Sequence, residues 1–249
     1  MRLHYYSRDW PKGLKNLGDW LTVPILQAMG YTIEPPEDGK PVLFGVGSTI
    51  GDGHFRLYPN SPIHVWGSGL MNRSHAKQWD RVRFHAVRGP LTRDTLKLNV
   101  PLGDPALLLP RLIELPRPDQ MDQVLYVNHC GTQPLEHPGG FDAAVTMLVP
   151  EANALDLISR IAHSRFVASE SLHGCVIAAA YGVPWAPCST KTHELSDKWN
   201  DWFAYLGLPH QSRPLPAVPE AARIWWETVG SHARLQPCND LLEVLPGTL

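Results

Sequence analysis

Arg88, Asp104 and His173 each stand where a hydrophobic run gives way to a turn, and packing alone does not explain them. Phe84-His-Ala-Val-Arg-Gly-Pro-Leu-Thr-Arg93 reads as strand, Arg88, tight turn and helix. A helix starting at Pro90 aims its free N–H groups and positive dipole end at the same place. An arginine fork there suits phosphate or carboxylate, and it equally suits a neighbouring carbonyl or an acid. Arg93, further into the helix, reads first as a surface residue and second as a ligand contact. Leu102-Gly-Asp-Pro-Ala106 fixes Asp104 on a rigid bend, as an acid/base group or as the holder of its own turn. His173 follows Ser169-Glu170-Ser171-Leu172. Its imidazole titrates near neutrality, so it could bind phosphate, shuttle a proton or serve structure. Ser169 and Ser171 suit oxyanion donors or helix N-caps, and Glu170 an orienting acid for His173 or a partner for a distant arginine. In Asn16-Leu-Gly-Asp19, Asp19 is a helix cap or, at the ligand edge of a sheet, an acceptor or catalytic residue with Asn16 positioning it. His54, in the loop from Ile50 to Pro59, is an acceptor contact or plain surface.

These side chains need a scaffold, and the chain alternates strand-like and helix-like runs throughout. Strands are expected at Leu3–Tyr6, Val42–Gly47, Ile63–Trp66 and Arg83–Val87, then at Val124–Asn128, Ala143–Val149, Arg165–Ala168 and Trp185–Cys188. Ser7 to Asn16 is expected as loop. Helices are expected from Gly18-Asp19 to Met29 despite Pro24, and over Ala152–His163, His173–Tyr181, Asp197–Leu206 and Glu220–Val229. The small side chains after His173 allow close helix–sheet approach. Strands alternating with helices predict an α/β fold of two layers with ligands between them, at the carboxyl ends of the strands. The proline- and charge-rich stretch 110–120 is the linker, dividing an N-terminal domain (1–115), a C-terminal domain (120–220) and a helical segment (221–249).

Composition narrows the function. A net charge of −2 gives no overall field for nucleic acid. No run approaches the ~20 apolar residues of a membrane span, and the start of the chain has no signal-peptide core. The 4 cysteines form no C-x-x-C pair, which predicts free thiols in a reducing compartment. Gly45-Val-Gly47 and Gly67-Ser-Gly69 lack the third glycine of a dinucleotide loop, and neither a phosphate-binding P-loop nor a G-x-S-x-G motif occurs. His129, His137 and His163 are too scattered to argue a metal.

Taken in order, six segments resemble the polysaccharide pyruvyltransferase family, and in particular its enzymes for ketal pyruvate on bacterial exopolysaccharide. They are Asn16-Leu-Gly-Asp19, Gly45-Val-Gly-Ser48, Trp66-Gly-Ser-Gly-Leu70, Val87 to Arg93, Leu102 to Ala106, and Ser171-Leu-His-Gly174 running on to Pro184. The Lys198-Trp-Asn-Asp-Trp202 stretch is similar too, so the likeness spans about residues 1–206. The resemblance implies two Rossmann-like domains in a compact GT-B-like arrangement. It implies phosphoenolpyruvate as donor substrate, no cofactor, and a sugar acceptor in the cleft. Arg88 and His173 then match donor-site residues. Some members carry arginine where this chain has Ser171, so donor charge needs another partner, with Arg93, Lys198 and backbone N–H groups as candidates. The expected acceptor is a lipid-linked oligosaccharide at the cytoplasmic face of the membrane. Two other functions compete: a nucleotide-sugar glycosyltransferase and a non-catalytic carbohydrate-binding protein. Trp225-Trp226 is a candidate surface contact with membrane or partner, because adjacent helical residues diverge by about 100°. Trp199 and Trp202 read instead as core.

Overall fold

The strands at Leu3–His4, Val42–Phe44 and Ile63–Trp66 are short and buried on both faces, the pattern of a parallel sheet covered by helices. The computed structural model describes residues 1–5, 13–131 and 136–247. β1 (Leu3–His4) and β2 (Leu14–Asn16) precede α1 (Leu17–Trp20) and α2 (Thr22–Ala28). They are followed by β3 (Val42–Phe44), α3 (Asp52–Phe55), β4 (Ile63–Trp66), β5 (Val82–Ala86), α4 (Pro90–Leu96) and α5 (Leu109–Leu112). Strands β1-β3-β4-β5 form a parallel sheet in that order. Pro90 opens α4, where its missing N–H leaves no intrahelical bond unmade.

The second half builds its own parallel sheet. Its elements are β6 (Val124–Asn128), β7 (Ala143–Thr146), β8 (Leu148–Pro150), α6 (Ala154–Ala162), β9 (Phe166–Ser169), α7 (Leu172–Ala180), β10 (Trp185–Ser189), α8 (Asp197–Tyr205) and β11 (Leu215–Pro216). The sheet order is β11-β10-β9-β6-β7. α9 (Pro219–Thr228) packs on β10, and the carbonyl of Leu241 in α10 (Asn239–Glu243) accepts the Trp66 indole N–H at 2.8 Å. One apolar core joins residues of both sheets, including Leu3, Leu43, Leu125 and Val167.

Several sequence expectations needed correction. The expected strand Ala143–Val149 is two strands. After Thr146 the chain leaves the sheet, and β8 pairs antiparallel with β2. β2 lies at Leu14–Asn16, within a stretch read as loop, and its partner is remote in sequence. Residues 6–12, which hold most of that stretch and the end of the expected first strand, lie outside the described residues. The helical stretch expected after Gly18-Asp19 begins earlier, at Leu17, and divides at Leu21 into α1 and α2, so Asp19 lies inside α1. Both rings of the Trp225-Trp226 pair pack on Trp185, with centroids 5.4 and 6.3 Å away. Trp225 is buried and Trp226 half-buried. One large ring on the sheet thus serves two diverging neighbours, which removes the argument for an exposed tryptophan. No helix among the described residues is long and apolar enough to cross a membrane.

Candidate active site

The β2–β8 pairing brings α1 against the second sheet: Leu17 N–H donates to Met147 O at 2.8 Å. Gly18 in α1 then faces His173 at the start of α7. A Cβ at Gly18 would stand 2.4 Å from His173 Nδ1, so only glycine admits the imidazole there. Segments following β3, β4 and β6 supply further walls, with the N-terminal turns of α7 and α8. A cavity of ≈ 150 Å³ results, lined by Asn16, Asp19, Ser48, Met71, His129, Cys130, Ser171, Leu172, His173 and Lys198. Asp19, Ser48 and Met71 also line a larger cavity of ≈ 730 Å³ that includes His54, Asp52 and Lys77.

The charges in the small cavity are unusual. Lys198 makes no ion pair or hydrogen bond among the described residues. Burial, then the nearby Arg88 charge, hold its pKa below the ordinary lysine range, against the opposing pull of Asp19. Asp19 is buried, and desolvation raises its pKa to about 6 although His173 and Lys198 act to lower it. Asn16 Nδ2 donates to Asp19 Oδ2 at 2.6 Å, fixing the carboxylate. Its other oxygen lies where a Cβ on Gly47 would come within 2.5 Å, and Gly47 has φ +119°. Both facts require glycine at 47.

His173 Nε2 lies 3.4 Å from Asp104 Oδ2, and Asp104 is fully buried. The other Asp104 oxygen accepts the Ala106 N–H at 3.0 Å, capping a short 3₁₀ turn. Asp104 therefore holds its own turn, one of the two roles the sequence offered, and its second oxygen faces the histidine. It does not line the cavity. His129 accepts the Gly131 N–H on Nδ1 at 3.1 Å, so Nε2 carries the ring proton. Desolvation lowers its pKa to about 4, and the ring stays neutral near pH 7. Cys130 is pushed up to about 11, chiefly by burial and next by Asp19, so it stands as a thiol.

Other candidates fall elsewhere. Arg88 is fully buried behind the cavity. It donates to Gly47 O (3.3 Å), Leu70 O (3.2 Å) and Ser48 Oγ (2.8 Å), and its Nη2 lies 3.5 Å from Asp201 Oδ2. Carbonyl capping and acid pairing, the competing roles for this arginine, are both present, and among its described hydrogen-bond partners Ser48 is the one that lines the cavity. Arg93 pairs with neighbouring Asp94 on the surface. Ser169 is closed on the backbone, accepting from Ser171 N at 3.0 Å and donating to Ser171 O at 2.8 Å. Glu170 accepts from His129 N, Ser189 Oγ and Thr190 and so ties strand ends together. Ser171 lines the cavity, and its side chain makes no capping bond on α7. His54 lines the larger cavity, with Nδ1 3.2 Å from His4 Nε2. Ser48, Met71, His129 and Cys130 were not named as site residues from sequence.

Asp201 also accepts from Thr92 N (3.0 Å) and Thr92 Oγ1 (2.7 Å), so the Arg88–Asp201–Thr92 cluster joins α4 to α8. Removing one partner of a buried pair strands the other charge. Asp201→Ala should therefore cost roughly 3–5 kcal/mol, read as a lower urea midpoint at unchanged slope. A midpoint like that of wild type would mean the cluster contributes little.

Two α/β sheets thus frame a cleft with a free cation, a carboxyl that titrates near neutrality and an acid-backed histidine. Such a set of groups can bind an anion and move a proton. The polysaccharide pyruvyl transferase family model matches residues 3–192. The succinoglycan biosynthesis protein ExoV of Rhizobium meliloti (strain 1021) is 31% identical over 234 residues, covering 87% of this chain and 71% of that protein. The chain belongs to the polysaccharide pyruvyl transferase family, and its activity is pyruvyl transfer to a polysaccharide.

Proposed function

We propose that the enzyme transfers pyruvate from phosphoenolpyruvate to two hydroxyls of one sugar in an exopolysaccharide repeat unit. The product is a pyruvate ketal, and phosphate is released. The observation that carries this reading is Lys198, without an ion pair among the described residues, beside Asp19 in a cavity of ≈ 150 Å³ that shares a wall with a larger one. A small anion suits the first cavity. The second lies within the ~300–1,000 Å³ of ordinary ligand sites and suits a sugar chain. Its lining residue His54 is then an acceptor contact, with Asn16 and Asp19 at the junction. Residues 1–115 form the acceptor side and 120–220 the donor side of a compact GT-B-like arrangement. The acceptor is a lipid-linked oligosaccharide presented at the cytoplasmic face of the membrane.

The proton balance closes within the reactants. Protonation at C3 makes C2 electrophilic, one hydroxyl attacks C2, phosphate departs with the bonding pair, and the second hydroxyl closes the ring. Of the two hydroxyl protons, one ends on C3 and the other on phosphate. The protein must bind charge and move protons, and no cofactor is called for. Lys198 and Ser171 hold donor oxygens. Asp19 accepts a hydroxyl proton. His173 meets the phosphate and passes the proton.

Asp104 acts through His173 as a positioning residue. Asp104→Asn should lower kcat roughly 10- to 100-fold, part of the ~10²–10⁴ that a placed acid–base group contributes. Donor KM should change little, because the amide removes the carboxylate that faces the imidazole and not a group that lines the cavity. An unchanged kcat would reduce Asp104 to a turn-former.

The deciding experiment incubates the protein with phosphoenolpyruvate and lipid-linked oligosaccharides and reads product mass together with released phosphate. Stoichiometric phosphate and a ketal-bearing product support the proposal. Consumption of a nucleotide sugar, with phosphoenolpyruvate untouched, would replace it with glycosyl transfer. Binding of the glycan without consumption of either donor would make the chain a carbohydrate-binding protein.

A further inference from the structure

Ser48 closes the Gly45-Val-Gly-Ser48 segment, and its side chain stands outside the apolar core. It lies beyond the end of β3 and lines both cavities, a position shared only with Asp19 and Met71 among the residues lining them. Its Oγ accepts a hydrogen bond from Arg88 Nη1 at 2.8 Å. Among the described residues nothing accepts its own O–H. With one lone pair held by the guanidinium, the hydroxyl hydrogen is left to point away from Arg88, and the space beyond it is cavity.

We propose that Ser48 binds the donor, its hydroxyl donating to an anionic oxygen of the substrate, and that Arg88 acts on the reaction through it. The proposal rests on the pyruvyl-transfer reading and gives the buried arginine a part in it. Arg88 is locked by Gly47 O, Leu70 O and Asp201, so it cannot turn toward a ligand without breaking those contacts. Through Ser48 its charge still acts. A hydroxyl that accepts from a cation becomes a stronger donor, because linked hydrogen bonds polarise one another. Donation to an ionised oxygen is also about twice as strong as donation to a neutral one. Lys198 and Ser48 then meet the same donor from opposite halves of the protein, which helps to align it beside Asp19.

The test compares Ser48→Ala and Ser48→Thr with wild type by steady-state kinetics and by calorimetric titration with phosphoenolpyruvate and with inorganic phosphate. Loss of a hydrogen bond to a charged group should lower kcat/KM for the donor about 10- to 100-fold in Ser48→Ala. Affinity for phosphoenolpyruvate should fall, KM for the acceptor should stay within a few-fold, and the thermal midpoint should stay close to wild type. Ser48→Thr, which keeps the hydroxyl, should recover most of the loss. Unchanged donor kcat/KM and affinity in Ser48→Ala would overturn the proposal while wild-type turnover left the reaction itself standing. An equal loss in Ala and Thr, with a lowered thermal midpoint, would also overturn it in favour of a structural role. Should wild type bind phosphoenolpyruvate without turning it over, the binding arm still decides Ser48 and the transfer reading alone falls. Absence of binding to either anion by wild type would end both.

Discussion

Asp19→Asn should reduce kcat by about 10²–10⁴-fold, the range expected when a positioned acid–base group is lost. Donor affinity should change only a few-fold, because asparagine keeps the size and one oxygen. The pH profile makes this specific. Burial raises the Asp19 pKa to about 6. Below that pH the carboxyl is protonated and cannot accept a hydroxyl proton, so wild-type kcat/KM should rise with pH through about 6 and level off above it. The asparagine variant should lose that limb. Stability should move the other way. A carboxyl whose folded pKa lies above its unfolded value contributes stability below the unfolded pKa and loses it as pH rises through the folded one. At neutral pH, then, burying the Asp19 charge costs the fold up to roughly 3 kcal/mol, and asparagine relieves it. A variant as stable as wild type or more so, and nearly inactive, separates catalysis from folding. Near-normal kcat in Asp19→Asn would remove Asp19 from the mechanism.

The alternation of buried runs and turns made the two parallel sheets legible, because strands covered on both faces read as continuous apolar stretches. The rule that ligands gather at the carboxyl ends of such strands led to His173 and Asp19. The same rule would have found His129 and Cys130, which follow Asn128 at the end of β6. As types they suggest a metal or disulfide pattern, and their scattered spacing supports neither. Ser48 was hidden by the glycines beside it, since Gly45 and Gly47 drew attention to the backbone. Arg88 shows a different limit. Its local setting at a strand–helix turn pointed to an anion, and the acid that meets it is Asp201, in the other half of the chain. No local pattern reveals such a partner. The antiparallel pairing of Leu14–Asn16 with Leu148–Pro150 was beyond reach for the same reason. That pairing carries α1 across to His173, so the close approach of Gly18 to the imidazole depends on the least readable strand. The turn-forming role of Asp104 is local and readable, whereas the approach of its second oxygen to His173 joins residues far apart in sequence and appears only in the fold.

Lys198→Ala should raise the donor KM by about 10- to 100-fold, the loss expected for a hydrogen bond between charged partners. Lys198→Arg should restore only part of it, since a planar fork replaces a compact ammonium in a small cavity. The lysine is the cation that stands free in the site, where Arg88 is committed to Asp201 and backbone carbonyls. Burial and Arg88 hold its pKa below the usual lysine range. A lysine loses its charge above its pKa, so wild-type donor affinity should weaken on the alkaline side earlier than an ordinary lysine would allow. Lys198→Ala should flatten that limb. A second consequence links the two predictions. The Lys198 charge helps to lower the Asp19 pKa, so its removal should move the acid limb of kcat/KM from about 6 to higher pH. A lysine that only supported the fold would leave both limbs where they are. A displaced acid limb, joined to a weakened donor and an unchanged acceptor KM, requires Lys198 and Asp19 to face the same donor.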